Sequence, residues 1–146
     1  MTVCVHNRQR LLGDINVGAG PCAGPVMELT PIGEMVQRIW NEIPQYYPGV
    51  DIDEFTVMPN HIHGIIVLTG RPQGAAPTGL TLSDVVQRFK SLTTRRYWQY
   101  QTPSSPKKLW QRNYFERIIR TDHELYQIRQ YIQFNPEMWE DDENNV

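Results

Sequence analysis

The chain has 146 residues, with 14 lysines and arginines against 16 carboxylates and a formal net charge of −2, a length that suits one domain spanning 1–146 with a real core and excludes two comfortable ones. Its two cysteines, Cys4 and Cys22, exclude a disulfide scaffold or a zinc knuckle. No run is apolar enough to cross a bilayer, and MTVCVHNRQRLL has neither the apolar stretch nor the cleavage pattern of a signal peptide, so a soluble, reduced, cytoplasmic protein without membrane contact is expected.

In chain order, TVCVHNRQRLLGDI alternates loosely and is expected as the first strand, with the chain starting inside it and leading to a loop, GAGPCAGP, at 18–25. TPIGEMVQRIWNEIPQYYP predicts a first helix, with Thr30 as N-cap, Pro31 at the first helical position, Met35, Ile39 and Ile43 on one face, and Pro44 and Pro48 closing it. DIDEFTVMPNHIHGIIVLTG predicts two strands, FTV and HIHGIIVL, broken by a bend at Pro59 and Asn60.

RPQGAAPTG reads as a flexible loop, and TLSDVVQRFKSLTTRRYWQY as a second helix opened by Thr81 and Asp84, with Val85, Phe89 and Leu92 inward. LWQRNYFERIIR predicts a further strand. TDHELYQIRQYIQFNP predicts a third helix with a Thr121–Glu124 capping box and an end at Pro136, and the acidic tail EMWEDDENNV is expected to fray from about residue 140. The order β, α, β, β, α, β, α points to an α+β protein, a ferredoxin-like antiparallel sheet with helices packed mainly on one face.

Charge is unevenly spread. Residues 81–131 hold ten lysines and arginines against four carboxylates, interleaved with Tyr97, Trp98, Tyr100, Trp110, Tyr114 and Phe115. Such a segment suits phosphate neutralisation with base stacking, although a solvated helix face with core aromatics has the same composition.

In MPNHIHGIIVL, His61 and His63 are two of four histidines and sit two apart on a predicted strand, so both rings leave the same face. Two imidazoles can hold a divalent ion if a third polar ligand arrives from elsewhere, but a structural histidine pair is as common. On the third helix, Leu125, Ile128 and Ile132 define the apolar stripe. At about 100° per residue, Asn135 lies roughly 50° and Tyr131 roughly 90° from its centre, while Tyr126 and Gln130 lie roughly 130° and 165° away and face water. Tyr131 and Asn135 therefore border the core and lie on one flank, as a phenol and amide that could lean toward the sheet or as a core tyrosine and a C-cap.

MPNHIHGIIVL, LSDVVQRFKSLTTRRYW, WQRNYFERIIR and YIQFNP, in this order and spacing from about residue 3 to about 139, resemble the REP-associated and IS200-like single-tyrosine transposases of the HUH endonuclease superfamily. The resemblance implies His61, His63 and Asn135 as ligands of Mg²⁺ or Mn²⁺ and Tyr131 as the nucleophile that cleaves and rejoins single-stranded DNA through a 5′-phosphotyrosine. It implies a hairpin-forming DNA substrate, with Arg88, Lys90, Arg95, Arg96, Lys107, Lys108, Arg112 and Arg117 as the phosphate contacts, and leaves both a monomer and a homodimer open. Asn135 brings a neutral amide where a carboxylate or imidazole would bind a metal more tightly. A non-catalytic single-stranded nucleic-acid-binding domain and a metal-dependent hydrolase acting through activated water are the competing readings.

Overall fold

The computed structural model describes residues 1–18, 20, 23–69 and 79–146. Cys22, part of the 18–25 loop and most of the RPQGAAPTG loop lie outside the described residues. The elements are β1 (Thr2–Cys4), β2 (Gly13–Val17), β3 (Pro25–Leu29), α1 (Pro31–Tyr46), β4 (Val50–Val57), β5 (His61–Leu68), α2 (Leu82–Tyr97) and α3 (Asp122–Phe134).

The central sheet is antiparallel with β5 between β1 and β4. On the far side of β1 the segment 109–115 runs antiparallel, held at Val5–Trp110 and Thr2–Phe115. The sequence of elements β1, α1, β4, β5, α2 and this edge segment, with β1 and β5 in the middle, is that of a ferredoxin-like sheet. The predicted strand over 109–120 is thus only partly realised: Gln111 N–H donates to the Cys4 carbonyl and Phe115 N–H to that of Thr2, each at 2.9 Å, and the residues between make no ladder. The Lys90 ammonium fills the gap by donating to the Gln111 and Arg112 carbonyls at 2.6 and 2.9 Å.

The first predicted strand is broken early. Asn7 and Arg8 take φ values of 55° and 54°, a left-handed region that few residues other than glycine enter, and the chain turns there before forming the β2–β3 hairpin, a separate two-stranded sheet. β3, alternating as PVMEL, was hidden beside a glycine- and proline-rich loop.

Helix starts follow local chemistry. The Thr30 hydroxyl accepts from Gly33 N–H, and Pro31 occupies a first-turn position where no N–H is needed. α1 nevertheless runs through Pro44 to Tyr46. Pro44 sits in the last turn, where losing one hydrogen bond is tolerable. Thr81 and Asp84 make a complete capping box. At α3 only half of one forms: Thr121 accepts from Glu124 N–H, while the Glu124 carboxylate bypasses Thr121 for Arg120 N–H and the Arg117 guanidinium.

α1 and α2 cover one face of the sheet, where Val36, Ile39, Trp40, Ile62, Val86 and Phe89 are buried together, each large apolar side chain contributing about 1.5–3 kcal/mol. Trp40 stacks on Phe55 with ring centroids 4.4 Å apart and lies against Gly64, where an added Cβ would stand 2.5 Å from two ring carbons. Gly64→Ala is expected to cost on the order of 2–3 kcal/mol by overpacking, read as a Tm lower by roughly 5–10 °C; an unchanged Tm would show that the ring can move aside.

With Ile62 and Gly64 facing α1, the alternate residues His61, His63 and Ile65 face the other way, toward α3. There Ile65, Tyr131 and Ile132 share one cavity wall with His63. A bidentate pair ties α3 to β4, Arg129 Nε and Nη2 meeting the Asp53 carboxylate at 2.8 and 2.5 Å. It lowers the Asp53 pKa, chiefly through the hydrogen bonds from Arg129.

Candidate active site

The turn Met58–Asn60 sets the histidines. It is fully enclosed, because Asn60 and Pro59 carbonyls accept from Val5 and Leu12 N–H at 2.8 and 3.0 Å, and Met58 N–H donates to the His61 carbonyl. The Asn60 side-chain amide donates to the carbonyls of Arg8 and Asn144 at 3.3 and 2.7 Å. Those two acceptors orient the amide, so its oxygen is the atom 2.8 Å from His61 Nδ1. Nδ1 must then carry the proton, and the lone pair of His61 Nε2 points into the site.

His63 Nε2 lies 3.0 Å from His61 Nε2, and His63 Nδ1 is 2.8 Å from the Thr2 hydroxyl. A hydroxyl can donate or accept, so Thr2 serves either tautomer of His63. Without a cation, His63 Nε2–H donates to His61; with one, both Nε2 atoms turn lone pairs to it.

Two buried oxygens lack a hydrogen-bond partner: Asp142 Oδ2, beside this pair, and Asn135 Oδ1, at the end of α3 one turn beyond Tyr131. Asn135 is 2% exposed, and Asp142 Oδ2 is 3.7 Å from His61 Nε2. The ligand atoms of His61, His63 and Asp142 all lie within 4.8 Å of one another. An orphaned buried carboxylate oxygen beside two convergent imidazole nitrogens is costly unless a cation completes it. His61 and His63, with Asp142 beside them, would supply two imidazole nitrogens and a carboxylate oxygen to such an ion. The residues present therefore fit a divalent ion with mixed nitrogen and oxygen donors.

Asp142 belongs to the tail expected to fray from about residue 140. That expectation is overturned: Trp139 is buried and stacked 6.0 Å from the His61 ring, with the Arg10 guanidinium 5.4 Å from its ring centroid, and the Asn144 side chain accepts from Arg8. One aromatic anchor and a set of polar contacts hold the tail, and neither leaves a periodic signal. The pairing of Trp139 with four acidic residues in a row was the only trace in the sequence.

Tyr131 is half-exposed and its ring centroid is 5.4 Å from that of His63. Tyr126 is exposed as expected, whereas Gln130 is only half so. Burial raises the Tyr131 pKa, the negative charges of Asp142 and Glu143 raise it further, and the Asn135 amide opposes them. The phenol is protonated at neutral pH and needs positive charge nearby to act as a nucleophile.

Burial likewise holds the pKa of His61 down to about 4 and that of His63 to about 3, against the pull of Asp142. The unfolded chain, with ordinary histidines, takes up protons first as pH falls below about 6.5. The neutral pair thus favours the fold above that pH, and its contribution is lost as pH drops toward 4. In metal-free buffer Tm should fall between pH 7 and 5, and His61→Asn/His63→Asn should flatten that slope; an equal slope in both proteins would assign it elsewhere.

The basic residues are more dispersed. Arg95 and Arg96 end α2, on the sheet face away from the histidines, and are exposed with Lys107, Lys108, Arg112 and Arg117. Arg88 lies over the Tyr47 ring at 5.2 Å. Lys90 is engaged with two backbone carbonyls, and burial lowers its pKa.

Residues 26–135 match the family described as "Transposase IS200 like". The chain belongs to this transposase family. It is 36% identical over 157 residues to an uncharacterized protein of Haemophilus influenzae, covering 98% of this chain and 82% of that one. Its fold is similar to a solved structure of a REP-associated tyrosine transposase bound to a REP hairpin, at a TM-score of 0.61 and 22% identity, over 92% of this chain and 63% of the other. The chain thus spans less than two thirds of the length of that structural relative. The family is one of DNA-processing enzymes, and His61, His63, Tyr131 and Asn135 all lie within the matched residues. Among the described residues no helix is long and apolar enough to cross a membrane.

Proposed function

We propose that this chain is a cytoplasmic, metal-dependent single-stranded DNA transesterase that cleaves and rejoins DNA through a 5′-phosphotyrosine. The observation that carries the reading is the half-exposed Tyr131 phenol packed against His63 in a shared cavity, with the partnerless Asp142 oxygen beside the histidine pair.

Tyr131 Oη attacks the scissile phosphorus in line. The new Oη–P bond replaces the P–O3′ bond, the 3′ oxygen leaves as a hydroxyl, and the phenolic proton passes to solvent or to that leaving oxygen. The energy of the phosphodiester is retained, so attack by a 3′-hydroxyl rejoins strands without ATP. His61, His63, Asn135 and Asp142 would hold Mg²⁺ or Mn²⁺, which when bound polarises a non-bridging phosphate oxygen and lowers the cost of a phenolate. Asn60 and Thr2 orient the imidazoles, and the Arg129–Asp53 pair holds Tyr131's helix on the sheet.

The solved relative was bound to a hairpin, and a hairpin with an unpaired foot is the substrate proposed here. Arg95, Arg96, Lys107, Lys108, Arg112 and Arg117 are exposed for phosphate contacts, whereas Arg88 and Lys90 contribute mainly to packing. The test mixes the protein with Mn²⁺ and labelled hairpins from the DNA flanking its own gene. An SDS-resistant protein–DNA adduct that EDTA abolishes is expected. Binding that survives EDTA with no adduct would make this a binding domain, and cleavage without an adduct would favour activated water.

A further inference from the structure

Two cavities open on the histidine side of the sheet. One, of about 700 Å³, is largely apolar, with Ile65, Ile118 and Ile128 beside His63 and Tyr131. The other, of about 400 Å³, is more polar than the first, with Arg8, Gln111, Asn113, Glu143 and Asn144 beside Cys4 and Tyr114 on its walls. They share two residues, Thr2 and Phe115.

Phe115 is 68% exposed, yet its backbone is fixed. Its carbonyl accepts from Thr2 N–H at 2.8 Å and its N–H donates to the Thr2 carbonyl at 2.9 Å. The same Thr2 orients His63 through its hydroxyl. A lone exposed apolar residue is ordinary. A large aromatic ring on a pinned backbone, standing between an apolar and a more polar cavity and one hydrogen-bonded residue from a candidate metal ligand, is not.

We propose that Phe115 is a stacking wedge between two nucleotide subsites of single-stranded DNA. One base lies in the apolar cavity beside Tyr131, stacked on the ring. Its neighbour turns into the more polar cavity, where Arg8, Gln111, Asn113 and Asn144 offer donors and acceptors to a base edge. The occupant follows from the geometry: a strand presenting a phosphate to Tyr131 must send its adjoining nucleotide along the groove that Tyr131 lines. A second cavity that sets amides, a guanidinium and a carboxylate beside aromatic rings suits the edge and face of a base better than an apolar peptide or a greasy face of a second copy. The cavity volumes are within the range for small-molecule and nucleotide sites, roughly 300–1,000 Å³. The choice of DNA as occupant rests on the transesterase reading; the wedge itself rests on the two cavities.

The experiment uses full-length Tyr131→Phe protein and oligothymidylates carrying one 2-aminopurine, scanned along the strand. Stacking on Phe115 is expected to quench the fluorescent base at one position. Phe115→Ala should remove the quench and weaken binding by roughly 5- to 100-fold, as expected for one base–aromatic stack, while Phe115→Trp restores both. An abasic residue at the quenched position should weaken binding to Phe115 protein and not to Phe115→Ala. A quench unchanged in Phe115→Ala, no binding of any oligothymidylate, or a change of oligomeric state with DNA binding intact would each overturn the wedge. A quench as expected, with wild-type protein forming no adduct in Mn²⁺, would keep the wedge and remove the transesterase reading; an adduct without the quench would do the reverse.

Discussion

Tyr131→Phe is expected to abolish covalent capture of DNA, with a loss of more than about 10³-fold in adduct formation, as for removal of other enzymic nucleophiles. Only one oxygen is lost. The ring remains against His63, and the phenol is half-exposed with its pKa raised by burial and by Asp142, so deleting the hydroxyl removes no favourable ionic contact. Stability should change by no more than about 0.5 kcal/mol, and oligonucleotide binding should persist. Gel analysis of the adduct beside thermal melting checks both halves. Cleavage surviving in Tyr131→Phe would show that water is the nucleophile and that the tyrosine is structural.

His63→Ala is expected to lower Mn²⁺ affinity by at least roughly 100-fold, since even groups that only orient a metal ligand cost 10- to 100-fold when removed. The effect has two parts. One of two facing imidazole nitrogens 3.0 Å apart disappears, and the ring against which Tyr131 packs disappears with it. A ligand that binds only the folded state raises Tm, so Mn²⁺ should raise the wild-type Tm and leave that of His63→Ala unmoved. Adduct formation should fall in parallel. Asp142→Asn, which keeps the volume and removes the charge, should weaken the Mn²⁺ shift without eliminating it. A Mn²⁺-dependent Tm increase that survives His63→Ala would place the ion elsewhere on the protein.

Much of the fold could be read from local patterns. Thr30, Thr81 and Thr121 each begin a helix because a side-chain oxygen must satisfy an N–H that no helical turn reaches, and Met35, Ile39 and Ile43 declare the buried face of α1 by spacing alone. His61 and His63 share a face because strand periodicity allows nothing else. Asn135, placed near the core by helical geometry, is buried. The break at Pro59 and Asn60 separates β4 from β5 where expected.

What escaped the pattern depends on partners distant in the chain. The β-strand read from TVCVHNRQRLLGDI turns at Asn7 and Arg8 because the Arg8 carbonyl and side chain meet Asn60 and Asn144. The 109–115 segment has only three residues of β1 beside it, so it pairs at two points instead of forming a strand. Glu124 leaves its capping box because Arg117 approaches from outside the helix.

By itself, then, the sequence determined the elements with strong period and capping, the shared face of the two histidines, and the flank on which Tyr131 and Asn135 lie, because these are decided within a few residues by backbone geometry. Only the tertiary structure decided that Asn60 and Thr2 orient the imidazoles, that the acidic tail packs through Trp139, and that Asp142 lies 3.7 Å from His61. These contacts join parts of the chain up to 136 residues apart, and nothing in local spacing encodes where a folded sheet will bring them.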